Sequence, residues 1–377
     1  MATAHFHPLL VRRIVPDAAG SVVVTLQVPP ALAGRFDFRP GQFLTLRADI
    51  GGQSVRRSYS ICSAHARYAR TCEIDIGIKP VPGGLFSNWA VTQLRAGDTI
   101  EVMPPEGRFT PSACTQPRHR VGFAAGSGIT PLLSIMRSTL EDEAQSRFTL
   151  VYGNRNMFSI MFNEALQDLK DRHPSRVTLI QILSRQLQEV PLLNGRIDRD
   201  KVAQLMATVL PPKDIDEAFI CGPEGMIEAV QASLLGAGLA QGNIHSERFF
   251  AADAAHAATG PGMPREPQYV AAASSQDPLA HESAANIELE VVLDGKTHAL
   301  RMRADEHVLD AALAAGLDLP YSCRGGVCCT CRARVTEGRV AMDRNFTLEP
   351  AEIDQGYALT CQSRPLTQRL VVNYDAR

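Results

Sequence analysis

The chain has 377 residues, of which 45% are hydrophobic and 21% are charged, and its formal net charge is -2. This composition is that of a globular protein too long for one ordinary core, so we expect two or three domains. The near-neutral charge gives no reason to expect a nucleic acid or an acidic membrane surface as a partner. Without a long apolar run or a secretion signal, the sequence predicts a cytoplasmic protein with no membrane-spanning helix.

Residues 1–112 predict an antiparallel β-barrel. Three stretches in this part alternate or run apolar and are separated by Pro and Gly turns: VVVTLQV (22–28), QFLTLRA (42–48) and EIDIGI (73–78). Such stretches are typical of short strands joined by tight turns. An antiparallel unit closed into a barrel is the arrangement that this pattern favours.

Residues 113–250 predict an α/β domain. From Arg120 the stretch VGFAAGSGITPLLSIMRSTL indicates a strand, a turn containing glycine and an amphipathic helix. FTLVYGNR, VTLIQILSR and EAFICGPEGM each begin with an apolar strand, with helical stretches between them. Alternating strands and helices predict a parallel sheet with crossover helices.

Residues 251–285 are rich in Ala and contain prolines at 261, 264, 267 and 278, so we interpret them as a flexible linker without a fold. Residues 286–377 predict another domain. Its first segment, IELEVVLDGKTHALRM, is typical of a hairpin that turns at Asp294 and Gly295. A short helix, HVLDAALAAGL, follows it, and RLVVNY indicates a closing strand.

The stretch CRGGVCCTC (323–331) contains four of the nine cysteines, and an odd cysteine count favours metal or redox use over a disulfide framework. The order Cys-x4-Cys-x2-Cys with a distant fourth cysteine is the plant-type spacing for a 2Fe–2S cluster, and the glycines permit a tight loop around it. Zinc is the alternative, although structural zinc normally uses two CxxC pairs and only one is present. The four candidate ligands are Cys323, Cys328, Cys331 and Cys361.

The other five cysteines have no place in this spacing. We interpret Cys329 as a bystander beside the cluster, with a substitute ligand as the alternative. The rest are expected to be small buried apolar residues, with Cys221 as a possible exception; they are Cys62, Cys72, Cys114 and Cys221.

Two motifs in the first domain suggest a site for a flavin nucleotide. In the first, Arg57 offers a fork of donors to a pyrophosphate and Tyr59 offers a flat ring to an isoalloxazine. In the second, glycine amides and a hydroxyl could hold a phosphate at a helix N-terminus. Taken singly, each is also compatible with an ordinary strand surface or an N-capped Gly turn. The candidate residues are Arg57, Ser58, Tyr59, Ser60, Gly83, Gly84, Leu85, Phe86 and Ser87.

Two strand–turn–helix motifs in the second domain suggest a site for a nicotinamide dinucleotide. In GSGITP, the glycines have no side chains, so the backbone at the start of a helix can approach a pyrophosphate. CGPEGM repeats that geometry at the carboxyl end of a strand, where ligands bind in open α/β sheets. An ordinary compact turn is the alternative. The candidate residues are Gly126, Gly128, Thr130, Cys221, Gly222 and Pro223.

Three further residues follow successive predicted strands, at positions where a 2′-phosphate could be bound by charge-assisted hydrogen bonds. They are Arg155 in YGNRN, and Ser184 and Arg185 in ILSRQ. They favour NADPH over NADH, with ordinary solvated arginines as the alternative.

Four motifs in this order, RSYS, GGLFSNW, GSGITP and CGPEGM, resemble the ferredoxin–NADP reductase superfamily over residues 1–250. Residues 287–377 resemble a plant-type ferredoxin with a β-grasp fold. The resemblance implies an FAD-binding barrel, a nicotinamide-binding α/β domain and four cysteine ligands. It also implies that Cys221 lies near the hydride path and that Glu247 in HSERFF is the acidic residue near the nicotinamide. For Glu247 a solvated surface glutamate is the alternative.

The order of the three modules, together with RRSYSIC, AAGSGITP, YGNRN, NGRID, DEAFICGP and CRGGVCCTC, resembles the reductase subunits of bacterial phenylacetyl-CoA epoxidases. This resemblance implies electron flow from NADPH through FAD and the 2Fe–2S cluster to a separate di-iron oxygenase subunit. The sequence shows no di-iron ligand pattern of paired Glu and ExxH, so we expect the oxygen chemistry on another protein. One alternative is a similar reductase for a ketosteroid hydroxylase or for an alkane or aromatic oxygenase. A non-enzymatic redox sensor or carrier and a zinc-stabilised interaction module are the others.

Overall fold

The computed structural model describes residues 5–249, 268–271 and 286–376. Its contacts divide the chain into two compact units, one of residues 6–249 and one formed by the C-terminal part of the chain. Within the described ranges, no helix has the length and apolar character needed to cross a bilayer.

The first unit begins with a six-stranded antiparallel sheet of strand order β4-β3-β6-β1-β2-β5. A bridge between Ile61 and Ile76 joins the end of β4 to β5, so the sheet closes as the predicted barrel. The domain also contains two short helices: α2 begins at the Gly-rich turn, as the motif predicted, whereas α1 was not predicted. The bounds are β1 (His7–Pro16), β2 (Val22–Gln27), β3 (Phe43–Ile50), β4 (Gln53–Ser60), α1 (His65–Thr71), β5 (Glu73–Ile78), α2 (Leu85–Thr92) and β6 (Thr99–Val102).

The same unit continues with a five-stranded parallel sheet of strand order β11-β10-β7-β8-β9, as the alternation of strands and helices predicted. Apolar clusters cover the sheet on both faces. Because the strands are parallel, their carboxyl ends meet at one edge. The bounds are β7 (His119–Ala125), α3 (Ile129–Asp142), β8 (Arg147–Asn154), α4 (Asn163–Arg172), β9 (Val177–Leu183), α5 (Arg199–Thr208), β10 (Glu217–Cys221), α6 (Glu224–Gly236) and β11 (Ile244–Glu247).

The segment predicted to be an unfolded linker contains a strand, β12 (Gln268–Ala271). It pairs antiparallel with residues 339–342, and its Val270 is fully buried in the core of the C-terminal unit. The expectation of no structure throughout 251–285 is therefore wrong at these four residues. A short edge strand whose partner lies about seventy residues away leaves no local periodicity in a background of Ala and Pro. The rest of the predicted linker lies outside the described residues.

The C-terminal unit contains a mixed sheet of order β14-β13-β19-β15-β17 and a second sheet of order β12-β16-β18. β13 pairs parallel with β19, as in a β-grasp fold. The predicted hairpin turns at Asp294 and Gly295, whose φ angles are 51° and 71°. The bounds are β13 (Ile287–Leu293), β14 (Lys296–Met302), α7 (Val308–Ala314), β15 (Arg332–Glu337), β16 (Arg339–Met342), α8 (Pro350–Asp354), β17 (Tyr357–Leu359), β18 (Ser363–Pro365) and β19 (Arg369–Asn373).

Candidate functional site

The RSYS motif forms the end of β4, where its side chains are half-buried or buried. Arg57 donates from Nη1 to the carbonyl of Arg56 at 2.8 Å. The ring of Tyr59 packs against that of Phe86 in α2, with 5.7 Å between the ring centroids, and burial raises the pKa of Tyr59. The strand therefore presents a guanidinium and a fixed aromatic ring next to α2, as a flavin nucleotide requires.

The Gly-rich turn before α2 is held in shape by its own side chains. Gly83 has a φ of 75°, which favours glycine. The hydroxyl of Ser87 accepts the N–H of Val81 at 3.1 Å, and Asn88 donates to the carbonyl of Gly84 at 2.6 Å. No side chain caps the N-terminus of α2. The turn therefore leads into a first helical turn whose N–H groups suit a phosphate, while Phe86 lies in the barrel core.

The two strand–turn–helix motifs of the α/β sheet contact each other. A Cβ added to Gly128 would lie 2.0 Å from the carbonyl oxygen of Cys221 and 3.2 Å from its sulfur. A Cβ added to Gly222 would lie 2.5 Å from Cε of Met226 in the same motif. The glycines thus let the backbones of the two turns approach at the carboxyl edge of the sheet.

The GSGITP turn is also bonded internally. Gly126 has a φ of 55°, and its carbonyl accepts the hydroxyl of Tyr152 at 2.8 Å. The hydroxyl of Thr130 donates to the carbonyl of Ser127 at 3.0 Å. These bonds fix the backbone that is predicted to meet the dinucleotide. Pro223, by contrast, lies exposed before α6.

Ser60, Cys221 and Glu247 come together from three different strands. The hydroxyl of Ser60 at the end of β4 donates to Oε2 of Glu247 at 3.3 Å. Glu247 in β11 pairs in register with Cys221 in β10. The barrel strand that carries the flavin motif therefore meets the edge of the α/β sheet at this point. The alternative of a solvated surface glutamate is wrong for Glu247, because it is half-buried and bonded to Ser60.

Burial sets the charge state of this group of residues. It raises the pKa of Glu247 to about 8, although the hydrogen bond from Ser60 acts in the opposite direction. Burial, and then the neighbouring Glu247, also raise the pKa of the Cys221 thiol. Near neutral pH both side chains are therefore protonated, and Cys221 is a neutral thiol rather than a nucleophilic thiolate.

The raised pKa of Glu247 predicts how stability depends on pH. The folded protein retains this proton up to about pH 8, while the unfolded chain loses it near the ordinary value of 4.5. Wild-type stability should therefore fall relative to Glu247→Gln as the pH rises through that window. We expect the Tm difference between the two proteins to change in this direction between about pH 5 and about pH 9, and then to level off.

Glu228→Gln, on the exposed side of α6, is the matched control for this measurement. Its Tm should follow that of the wild type at every pH. Parallel Tm profiles for the wild type and Glu247→Gln would contradict the assignment of a buried, protonated Glu247.

The three candidate 2′-phosphate residues lie together on the surface. Arg155, Ser184 and Arg185 are exposed and follow the neighbouring strands β8 and β9. The N–H of Arg185 donates to the carbonyl of Arg155 at 2.8 Å, and Ser184 donates to the carbonyl of Asn154. The two loops are therefore joined, and both arginines lie at one edge of the sheet.

Lys79 is a cation near this site that the sequence motifs did not indicate. It follows β5, and burial and the nearby Arg155 lower its pKa. A Cβ added to Gly126 would lie 3.8 Å from its Nζ. The only sequence signal was its place directly after a barrel strand and before the Gly-rich turn, which local periodicity does not single out.

The cysteine loop in the C-terminal unit brings its thiols together in pairs. Cys323 is hydrogen-bonded to Cys328, and Cys331 is hydrogen-bonded to Cys361. Three of these four residues are buried and Cys323 is half-buried. Cys329 has a φ of 57° and packs against the apolar core.

The surroundings of the pairs suit an anionic iron–sulfur cluster. The N–H of Gly325 donates to the sulfur of Cys323 at 3.3 Å, and Nε2 of Gln362 lies 3.8 Å from the sulfur of Cys361.

The adjoining thiol of Cys361, and then burial, raise the pKa of Cys331. The adjoining thiol of Cys323, and then burial, likewise raise the pKa of Cys328, so a bound iron would be needed to hold these two residues as thiolates. Two thiol pairs suit a 2Fe–2S cluster, in which each iron takes two ligands from the protein.

Comparison with known proteins matches three segments of the chain to family models. Residues 21–110 match the family model described as an oxidoreductase FAD-binding domain. Residues 123–232 match an oxidoreductase NAD-binding domain, and residues 291–366 match a 2Fe-2S iron-sulfur cluster binding domain.

Relatives match over nearly the whole chain. The chain is 41% identical to one of the subunits of 1,2-phenylacetyl-CoA epoxidase from Escherichia coli K12, over 99% of this chain and 98% of that protein. The chain belongs to the ferredoxin–NADP reductase superfamily, in the group with a C-terminal 2Fe–2S domain. It is also 34% identical to the ferredoxin reductase component of 3-ketosteroid-9-alpha-monooxygenase from Rhodococcus rhodochrous, over 97% of this chain and 96% of that one.

Among solved structures, phthalate dioxygenase reductase has a similar fold, with a TM-score of 0.58 and 20% identity over 98% of each chain. The protein is accordingly an NAD(P)H-dependent oxidoreductase with domains for FAD, a nicotinamide dinucleotide and a 2Fe–2S cluster. It is an electron-transfer reductase, and the two relatives named above belong to an epoxidase and a monooxygenase.

Proposed function

We propose that this reductase transfers electrons from NADPH, through FAD and the 2Fe–2S cluster, to a separate di-iron oxygenase that epoxidises phenylacetyl-CoA. The observation that carries the electron route is the meeting of Ser60, Cys221 and Glu247, which joins the flavin-binding strand to the dinucleotide edge of the sheet. The acceptor is supported by the 41% identity with the epoxidase protein, compared with 34% for the ketosteroid monooxygenase component.

The residues predicted from the sequence are proposed for these roles. Arg57, Ser58, Tyr59 and Ser60 hold the flavin, and the turn at residues 83–87 holds its pyrophosphate. The dinucleotide lies against the turns at residues 126–130 and 221–223. The cluster ligands are Cys323, Cys328, Cys331 and Cys361.

The chemistry of the route depends on the bound groups, because FAD accepts a hydride as an electron pair and the cluster accepts single electrons from it. The protein's own residues orient the bound groups and shield them from water. Glu247, protonated near neutral pH, presents a neutral carboxyl beside Cys221 and so adds no negative charge where the hydride is transferred. The close contact of Gly128 with Cys221 leaves no room for water between the two turns.

For the dinucleotide we propose NADPH, with Arg155, Ser184 and Arg185 at the 2′-phosphate. Two exposed guanidinium groups on joined loops can bind a doubly charged phosphate by charge-assisted hydrogen bonds. Lys79, near the Gly126 turn, adds a third positive charge in this region. We also propose the cytoplasm as the compartment, which suits nine cysteines that form no disulfide.

Reconstitution tests the proposal. The purified reductase is combined with the oxygenase components of a phenylacetyl-CoA epoxidase, phenylacetyl-CoA and either NADPH or NADH, and the epoxide is measured by mass spectrometry. Epoxide formation that depends on the reductase and is faster with NADPH is the expected result. Reduction of ferricyanide without any epoxide would leave the reductase activity intact but reject this acceptor, and a ketosteroid monooxygenase would then be the next acceptor to test.

A further inference from the structure

A backbone conformation unfavourable for a bulky residue occurs where the barrel meets the α/β sheet. Phe162, directly before α4, has φ 57° and ψ 26°, in the left-handed region that bulky side chains avoid. Its side chain is buried. Such a conformation persists only where the surrounding contacts enforce it, and at this position those contacts come from two sides.

Asp17, which follows β1 of the barrel, holds the backbone of Phe162. Its two carboxylate oxygens accept the Phe162 N–H at 3.2 and 3.0 Å. The backbone of Asp17 is itself held by Ser21, whose carbonyl accepts the Asp17 N–H at 2.8 Å and whose hydroxyl donates to the carbonyl of Ala18. A loop of the barrel thus fixes the residue that starts α4.

The ring of Phe162 contacts the barrel wall and the start of α3. A Cβ added to Gly77 in β5 would lie 2.9 Å from Cζ of Phe162 and 2.9 Å from Cγ2 of Thr130. Gly77 therefore leaves the space in which both side chains pack against the barrel. Thr130 stands two residues after Gly128, in the turn proposed to meet the dinucleotide.

Tyr152 joins the same segment to that turn from a second side. Its buried hydroxyl donates to the carbonyl of Gly126, and its side chain lies in the same apolar cluster as Met161 and Phe162. Hydrogen bonds and apolar packing therefore connect Asp17 in the barrel, through residues 161–162, with the turn at residues 126–130.

We infer that the Asp17–Phe162 contact is a positioning device that sets the dinucleotide turn against the flavin barrel, and thereby the distance over which the hydride moves. Asp17 and Phe162 are positioning residues, since each acts through the turn. The inference rests on the proposed function, because it requires the flavin in the barrel and the nicotinamide at the turn.

The test is Asp17→Ala in the full-length protein loaded with FAD and iron, assayed by NADPH-dependent ferricyanide reduction. Because a misplaced donor slows the reaction more than it weakens binding, we expect kcat to fall about tenfold while KM changes little. The primary isotope effect with NADPH deuterated at the transferring position should rise. FAD content and the Kd for NADP⁺ should stay at wild-type values, whereas the change in the flavin spectrum on NADP⁺ binding should be smaller.

Asp37→Ala is the matched control, since Asp37 is an exposed barrel aspartate paired with His65 and should give wild-type values throughout. A wild-type kcat and isotope effect in Asp17→Ala would overturn the inference. Failure of the wild type itself to reduce ferricyanide with NADPH would instead reject the proposed function.

Phe162→Gly distinguishes positioning from general destabilisation, because glycine adopts the left-handed backbone freely but lacks the ring. If Asp17 acts through Phe162, adding Asp17→Ala to Phe162→Gly should reduce kcat by little more. If each substitution instead lowers kcat by the same factor whether or not the other is present, the inference is overturned. If Asp17→Ala fails to fold, Asp17→Asn is the variant to measure, because it retains one acceptor oxygen. A kcat and an isotope effect between those of the wild type and those expected for Asp17→Ala would support the positioning role of the contact. Wild-type values would reject it.

Discussion

Cys328→Ser should still reduce ferricyanide with NADPH at about the wild-type rate while losing electron transfer to its oxygenase. The substitution removes one thiol of the Cys323–Cys328 pair, so one iron loses half of its protein ligands. The barrel and the α/β sheet belong to a separate compact unit and keep their flavin and dinucleotide residues. Iron and acid-labile sulfide content, together with the two activities, provide the measurement.

Cys329→Ser is the matched control, because it makes the same change at the neighbouring residue, which the plant-type spacing does not use as a ligand. It should keep its iron and its oxygenase activity. Full oxygenase turnover by Cys328→Ser would contradict the proposed route. If iron persists in Cys328→Ser and is lost only when Cys329 is also replaced, Cys329 is a substitute ligand.

Gly128→Ala should strongly impair both stability and NADPH oxidation. The backbone angles of Gly128, φ -60° and ψ -9°, suit any residue, so the cost comes from contact alone. The new methyl carbon would lie 2.0 Å from the carbonyl oxygen of Cys221, which is backbone and cannot rotate away. Overpacking of this kind costs about 1–3 kcal/mol in the free energy of unfolding. Displacing Cys221 from the turn should lower kcat/KM for NADPH about tenfold or more.

Gly225→Ala gives the comparison within the neighbouring motif. No atom lies within 4 Å of a Cβ added there, and the residue is in the first turn of α6. Alanine should therefore raise the free energy of unfolding by about 0.5–1 kcal/mol and leave NADPH oxidation unchanged. Thermal unfolding and steady-state kinetics provide the measurement. If the two variants have the same stability and the same kcat/KM for NADPH, the contact between Gly128 and Cys221 does not affect function.

Local sequence patterns predicted most elements that position the site. The strands at 22–28 and 73–78 and the strand–turn–helix units around Gly126 and Cys221 were confirmed, because apolar periodicity and glycine placement act over a few residues. β1 was not predicted, since its HPLLVRRIVP carries two adjacent arginines and contains a bulge that breaks the alternation. β12 was missed because its pairing partner is remote in the chain.

The residues of the candidate site were likewise predicted only in part. The cysteine spacing was enough to indicate the four candidate ligands, because the plant-type pattern combines three thiols of one short loop with a distant fourth. The pairing of Cys323 with Cys328 and of Cys331 with Cys361 required the fold, since Cys361 reaches the loop only through β17. Lys79 and Asp17 lie in no sequence motif, and only their contacts in the folded protein indicate a role for them.

By itself, the amino-acid sequence determined the type of each domain and the kinds of group each could bind, because periodicity, turn chemistry and ligand spacing are properties of neighbouring residues. Only the tertiary structure decided that Ser60, Cys221 and Glu247 meet, that Glu247 keeps its proton near neutral pH, and that Asp17 fixes Phe162. Contacts across more than a hundred residues, and the burial that shifts a pKa, depend on how whole elements pack, and no local pattern contains that information.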